Sequence, residues 1–211
     1  MRLGQVALCA LATTGCNLAF GLDIATDARP IDVQPIDVAA DGAPASIVGC
    51  ADGTREGFDD IAIYPKVAAC GGAWNIPGLA GPAAVGCDPN NGLTQCAAAN
   101  VCSSGWRICT GVADVAPRFD ACHLTAAGFF TTAQRSSGNK MCTSLGSNDL
   151  FGCYGPPVAG LAPDPGCAPL DATANDGCSG VGAPWNCPSG SFERDQVTKD
   201  AGPGGVLCCH D

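Results

Sequence analysis

Large side chains for a hydrophobic core are scarce in this chain: of 211 residues, 6% are aromatic and 14% are charged. A domain with so few bulky groups needs some other source of stability. Basic residues are also few, with 10 Lys and Arg against 20 Asp and Glu, a net charge of −10. That balance removes the basic footprint that nucleic acid or an anionic membrane surface would require. The only histidines are His123 and His210, and the only glutamates Glu56 and Glu193, so general bases are in short supply. No apolar run reaches the roughly 20 residues that cross a bilayer as a helix. No Cys-x-x-Cys pair is present, which argues against a zinc site. What the chain does have is 29 Gly, 16 Pro and 16 Cys, the composition of a disulfide scaffold made in an oxidising compartment.

The N-terminus has the layout of an export signal over residues 1–15. Arg2 supplies a positive charge, a short apolar core runs from Val6 to Ala12, and small residues follow. Thr13-Thr14-Gly15-Cys16 resembles the lipobox of bacterial lipoproteins, with Thr13 standing where Leu is usual. The resemblance implies that Cys16 is acylated and becomes the first mature residue. Cysteine parity agrees, because setting aside Cys9 and Cys16 leaves fourteen cysteines, an even number. The expected location is extracytoplasmic, anchored by lipid in the outer membrane or at the surface of a Gram-negative cell. Residues 16–46 then read as an acidic tether. Asp23, Asp27, Asp32, Asp37 and Asp41 face a single Arg29, and Pro-Ile-Asp-Val occurs at both 30–33 and 35–38. Such sequence cannot bury much apolar area and is expected to be an extended linker, with a reach of up to ~100 Å.

Residues 47–211 are read as one cysteine-rich domain. Cys50, Cys70, Cys87, Cys96, Cys102, Cys109, Cys122, Cys142, Cys153, Cys167, Cys178, Cys187, Cys208 and Cys209 are spread along it without a long gap and are expected to pair, in a connectivity the sequence leaves open. Cys208 and Cys209 should find different partners, since neighbours seldom bond to each other without strain. Apolar spacing predicts a helix over 93–101, capped by Asn90 or Asn91. Shorter helices are expected over 111–116 and from Pro65 to Cys70. Strands are expected at 46–49, 106–109, 129–132, 150–154 and 205–209. The fold class is therefore α+β, with short helices, short antiparallel strands and long loops.

The run from Cys96 to Thr110, a small-residue helix, a turn at Gly105 and a short apolar strand, resembles the first half of a C-type lectin-like domain. In that family a cysteine of the first helix pairs with one in the last strand, which residues 204–209 would supply. The family's calcium-dependent sugar site is not intact here. Trp185-Asn186 is followed by Cys187, and Asp88-Pro89-Asn90 precedes the first helix. Asp88-x-Asn90-x-Gly92 and Asn175-Asp176-Gly177 fall short of an EF-hand ladder and read as turns. No metal and no cofactor is expected.

Catalysis finds little support. The nearest approach to a nucleophile elbow, Gly177-Cys178-Ser179-Gly180-Val181, fails at its last position. Asp59-Asp60 reads as a turn cap, and His210 as a terminal residue. The remaining candidates are Trp74, Trp106 and Trp185, each flanked by Gly or Pro, which could offer ring faces to a ligand or simply fill the core. The sequence thus favours a lipid-anchored binding or structural module, with a glycan or protein ligand. The alternative is a secreted hydrolase of envelope polymers that would use His123 and Glu56.

Overall fold

The closing run Gly205-Val206-Leu207-Cys208-Cys209 has no polar side chain, and such a segment satisfies its backbone best inside a sheet covered on both faces. The computed structural model describes residues 47–87, 94–135, 140–142, 148–156, 161–163, 165–188 and 192–211. There this run is a wholly buried central strand. In chain order the strands are β1 (Val67–Gly71), β2 (Arg107–Ile108), β3 (Gly128–Thr131), β4 (Leu150–Gly155), β5 (Ala172–Ala174), β6 (Trp185–Asn186), β7 (Thr198–Lys199) and β8 (Gly205–Cys209). The α-helices are single turns, α1 (Val112–Val115) and α2 (Glu193–Gln196).

β8 organises the main sheet. One edge pairs antiparallel with β1 along its full length, from Val67 opposite Cys209 to Gly71 opposite Gly205. The other edge is shared: β3 lies parallel to Gly205 and Val206, and β2 antiparallel to Cys208 and Cys209. β4 and β5 continue outward from β3, and β6 with β7 forms a separate ribbon. The described residues form one compact unit, an α+β domain with little helix.

Side chains alternate across a strand, and here the alternation builds two cores. Ala68, Cys70, Phe129, Val206 and Cys208 join Trp74, Trp106 and Trp185 in one cluster. Val67, Ala69, Phe130, Leu207 and Cys209 join Phe58, Phe119 and Phe151 in the other. Cys208 and Cys209 therefore point to opposite faces and take different partners, Cys102 and Cys109. The remaining pairs are Cys50–Cys70, Cys87–Cys96, Cys122–Cys153, Cys142–Cys167 and Cys178–Cys187, so all fourteen domain cysteines are cross-linked. Close approach also dictates glycine. A Cβ on Gly205 would overlap the Cys70 carbonyl oxygen, and Gly204 has φ +87°.

Four expected strands and the helix after Gly111 occur within a residue or two of the predicted bounds. Four expectations change. The segment after Pro65 is strand β1, because Val67, Ala68, Ala69 and Cys70 are buried on both sides, which a single helical face cannot achieve. The helix expected over 93–101 shrinks to a 3-10 turn, Ala98–Val101. Gln95 takes φ +60°, and the Cys96 N–H donates to the Asn75 side chain, so no helix passes through that point. Its proposed caps, Asn90 and Asn91, lie outside the described residues, as does Asp88. Over 47–49 there is no strand, and Cys50 makes only an isolated bridge to Cys102. The sheet is also not wholly antiparallel, since β3 enters beside β8 in parallel.

Candidate functional site

Beside β2 and α1 the structure opens a cavity of about 960 Å³, within the range of small-molecule sites. Its walls are residues 79–83, β2, α1 and the segment 133–135 that leaves β3. Each wall is fixed by backbone bonds. The Leu79 N–H donates to the Arg194 carbonyl (2.8 Å) and the Gly78 N–H to the Val197 carbonyl (2.9 Å), which seats the first wall on α2. The Ala133 N–H donates to the Cys109 carbonyl (2.8 Å), and the Gln134 side-chain oxygen accepts from the Val112 N–H (2.8 Å), joining the last wall to β2 and α1. Gly111 is required beneath this contact, since a Cβ there would run into the Gln134 amide.

The lining is mostly apolar, with Leu79, Ala99, Trp106, Ile108 and Val112 among its contributors. Its charged members are Arg107, Asp114, Arg135 and Arg194. Arg107 is already engaged, Nη1 with Asp114 and Nη2 with Asp211, both at 2.7 Å. Arg194 pairs with its neighbour Asp195. Asp114 also meets Arg118 at 2.9 Å. Burial works against ionisation of Asp114, but the Arg107 hydrogen bond, the Thr110 N–H and the charges of Arg107 and Arg118 outweigh it and hold the carboxyl down at about 2. Arg135 is exposed and has no polar partner among the described residues.

The tryptophans are placed as core. Trp74 is 1% exposed, and Trp106 and Trp185 are 8% exposed. Trp74 and Trp185 meet edge to face at 5.4 Å, and Phe129 packs on Trp185 at the same distance. Trp106 lines the cavity, but its ring is flanked by the Arg55 guanidinium at 5.6 Å and the His210 ring at 5.4 Å. His210 is thus a half-buried packing residue, and its carbonyl accepts from Arg118. Cys16 lies outside the described residues.

The residues a hydrolase would use have separate tasks. The Glu56 carboxylate accepts from the Gly71 N–H (2.7 Å), and burial pushes its pKa up. His123 lies against Tyr64 and Phe58, 3.8 Å from Asp120. Asp60 caps its turn by accepting from the Ala62 and Ile63 N–H groups. Where cysteines and carboxylates cluster, at Cys109, Asp114 and Cys209 and at Cys122, Cys153 and Asp171, the sulfurs are spent in disulfides.

Two buried ionisable groups escaped the sequence reading. Glu193 is fully buried on α2, where one carboxylate oxygen accepts from the Gly177 and Cys178 N–H groups and the other has no hydrogen-bond partner. Burial pushes its pKa up to about 7 against those bonds, and the charges of Asp149 and Asp176 add to the rise. Lys199 is also fully buried, with its ammonium donating to the carbonyls of Gly72 and Gly202 at 2.8 Å and of Asp200 at 3.3 Å. Burial lowers its pKa to about 8 despite the Asp200 and Glu56 charges. Neither was marked by any local motif. The cavity had a faint signal, since three of the five arginines in residues 47–211 line it. No helix among the described residues is long and apolar enough to cross a membrane. No family model matches the chain, and no solved structure matches it.

Proposed function

We propose that this protein is an extracytoplasmic binding module, carried on an acylated Cys16 at the outer membrane or cell surface, that holds a small ligand in the cavity beside β2 and α1. The observation that carries this reading is the cavity itself: about 960 Å³, mainly apolar, with walls tied together by backbone hydrogen bonds. Complete pairing of the domain cysteines supports an oxidising compartment. Burial of the three tryptophans favours a ligand inside the cavity over a sugar stacked on a loop ring. The separate tasks of Glu56 and His123 favour binding over hydrolysis.

The test is a titration of the oxidised chain with a neutral solvatochromic dye such as Nile red. Saturable one-to-one binding is expected, and it should be lost in Ala113→Trp, which places a large ring on an exposed wall position without disturbing the core. Equal binding by both proteins would end the cavity reading. The anchor has its own test: Cys16→Ser should move the protein from the membrane to the soluble fraction, and continued membrane association would refute acylation as its cause.

A further inference from the structure

The geometry points to an amphiphile with an apolar body and a single anionic group as the ligand of this cavity, its anion meeting Arg135. This inference rests on the cavity being the binding site and adds the chemistry of its occupant. The first argument is charge compensation. Of the three arginines on the wall, Arg107 is held by Asp114 and Asp211, and Arg194 by Asp195. Those pairs give a ligand no net field. Asp114, the one lining carboxylate, is itself bracketed by Arg107 and Arg118, so it neither repels an anion nor attracts a cation. Arg135 is the one lining charge with no partner among the described residues. In a chain of net charge −10, an uncompensated guanidinium at a cavity wall selects for one negative group, and a carboxylate or phosphate would take its fork geometry.

The second argument comes from exposed carbon. Five large hydrophobic residues are exposed in the described structure: Ile47, Ile63, Val85, Met141 and Phe192. Three of them are chain neighbours of wall residues, Val85 two positions from Ala83, Met141 next to Cys142 and Phe192 two positions from Arg194, though none is itself part of the wall. Single exposed apolar residues are ordinary, but a contiguous apolar surface marks a site that meets an apolar partner, and the cavity wall is such a surface. Leu79, Ile108 and Trp106 continue the same character inside. A sugar or a polyanion would leave this carbon surface unused, whereas an alkyl or ring-bearing monoanion satisfies both it and Arg135.

The position of Arg135 is set by the chain just before it. Thr132 donates to the Phe151 carbonyl at 2.8 Å, Ala133 to Cys109, and the Gln134 amide is locked against Val112. The guanidinium therefore leaves a braced segment.

The experiment uses the full oxidised chain carrying Cys16→Ser, so that no detergent competes, with decanoate, decan-1-ol and decyltrimethylammonium as probes displacing Nile red. Decanoate should bind at least about tenfold more tightly than decanol, and the cation more weakly than either. Arg135→Gln should bring decanoate to the level of decanol while leaving decanol unchanged. High salt should weaken decanoate alone. Equal affinity for decanoate and decanol in the parent protein, or full decanoate affinity in Arg135→Gln, would overturn the anionic assignment while the cavity remained the site. Failure of every probe to bind, or binding untouched by Ala113→Trp, would overturn both.

Discussion

The two faces of the central sheet are made of different materials. One is closed by carbon and sulfur: Phe58, Phe119, Phe130 and Phe151 interleave with the Cys109–Cys209, Cys122–Cys153 and Cys142–Cys167 bonds. The other holds all three tryptophans, and Trp106 and Ile108 from it line the cavity. The buried Glu193 and Lys199 are attached to this second face, Glu193 to the backbone of Cys178 and Lys199 to that of Trp74. A face that only has to be stable can be dry. One that leaves a cavity open needs its loops held by polar bonds, and those bring desolvated charge with them. Disulfides brace both faces, four on the tryptophan side and three on the phenylalanine side, so the difference lies in the cavity and the buried charge and not in the cross-links.

The sharpest attempt to break this contrast is to remove one long cross-link from each face. Cys102–Cys208 and Cys109–Cys209 close loops of 106 and 100 residues. Because the two bonds enclose nearly the same stretch, removing either while the other stays releases a ring of only about ten residues, worth about 2–3 kcal/mol on chain entropy alone. Paired Cys→Ala replacements at 102/208 and at 109/209 should therefore lower the denaturant midpoint by nearly equal amounts. A difference above about 2 kcal/mol would show that the bonds act through packing of their own face, not through the unfolded chain.

Truncation of a phenylalanine is of the same order. Phe151→Ala should cost about 3–4 kcal/mol, the usual loss for a fully buried ring. It should leave dye affinity unchanged below the unfolding transition, because Phe151 lies in the core opposite the tryptophans. Trp106→Ala should lower both stability and affinity. If Phe151→Ala weakened binding as much, the two faces would not be separable.

How much of this was readable beforehand follows from where the information is local. β8 was legible because its apolar run and two cysteines stand next to one another, and the opposite fates of Cys208 and Cys209 follow from strand alternation. β1 was not legible: Val-Ala-Ala-Cys after a proline has the small residues of a helix, and only burial on both sides by β8 and its neighbours makes it a strand. β5, β6 and β7 have two or three residues each, too few to carry a period. The cavity is assembled from segments near positions 80, 107, 112 and 134, which nothing in the sequence links. The tryptophans had the right flanking residues for loops but the wrong volume for a core already short of large groups, and the core took them.

A smaller effect separates the faces by pH. Glu193 goes from an ordinary unfolded value of 4.5 to about 7 in the folded protein, so between those values the native state holds the extra proton. Its contribution is full below 4.5 and is lost as pH rises through about 7, on the order of 2 kcal/mol. Glu56 and Asp171, also raised by burial, add to the same falling limb. Lys199, lowered to about 8 from 10.5, gives stability that rises again between those values. Glu193→Gln should flatten the loss between pH 5 and 7. An unchanged slope would mean that Glu193 is ionised in the folded protein throughout.

The smallest effect sits on α1, where the two faces meet at the cavity. Asp114 has the opposite sign from Glu193: held at about 2 against an ordinary 3.8, it stabilises the fold fully above 3.8 and loses that contribution as pH falls through about 2. The shift corresponds to about 1–2 kcal/mol. With one carboxylate losing stability as pH rises and the other as it falls, the domain should be most stable near pH 4 within the range below the Lys199 titration. That is lower than for most proteins, whose paired carboxylates act without buried, raised ones to oppose them. Asp114→Asn should remove much of the acid limb and leave the fall between pH 5 and 7 untouched, while Glu193→Gln does the reverse. Unfolding midpoints of the two variants from pH 2 to 8 measure both limbs at once. If either substitution altered both, Asp114 and Glu193 would be coupled through the Arg194 side of the cavity, and the two faces would act as one structure.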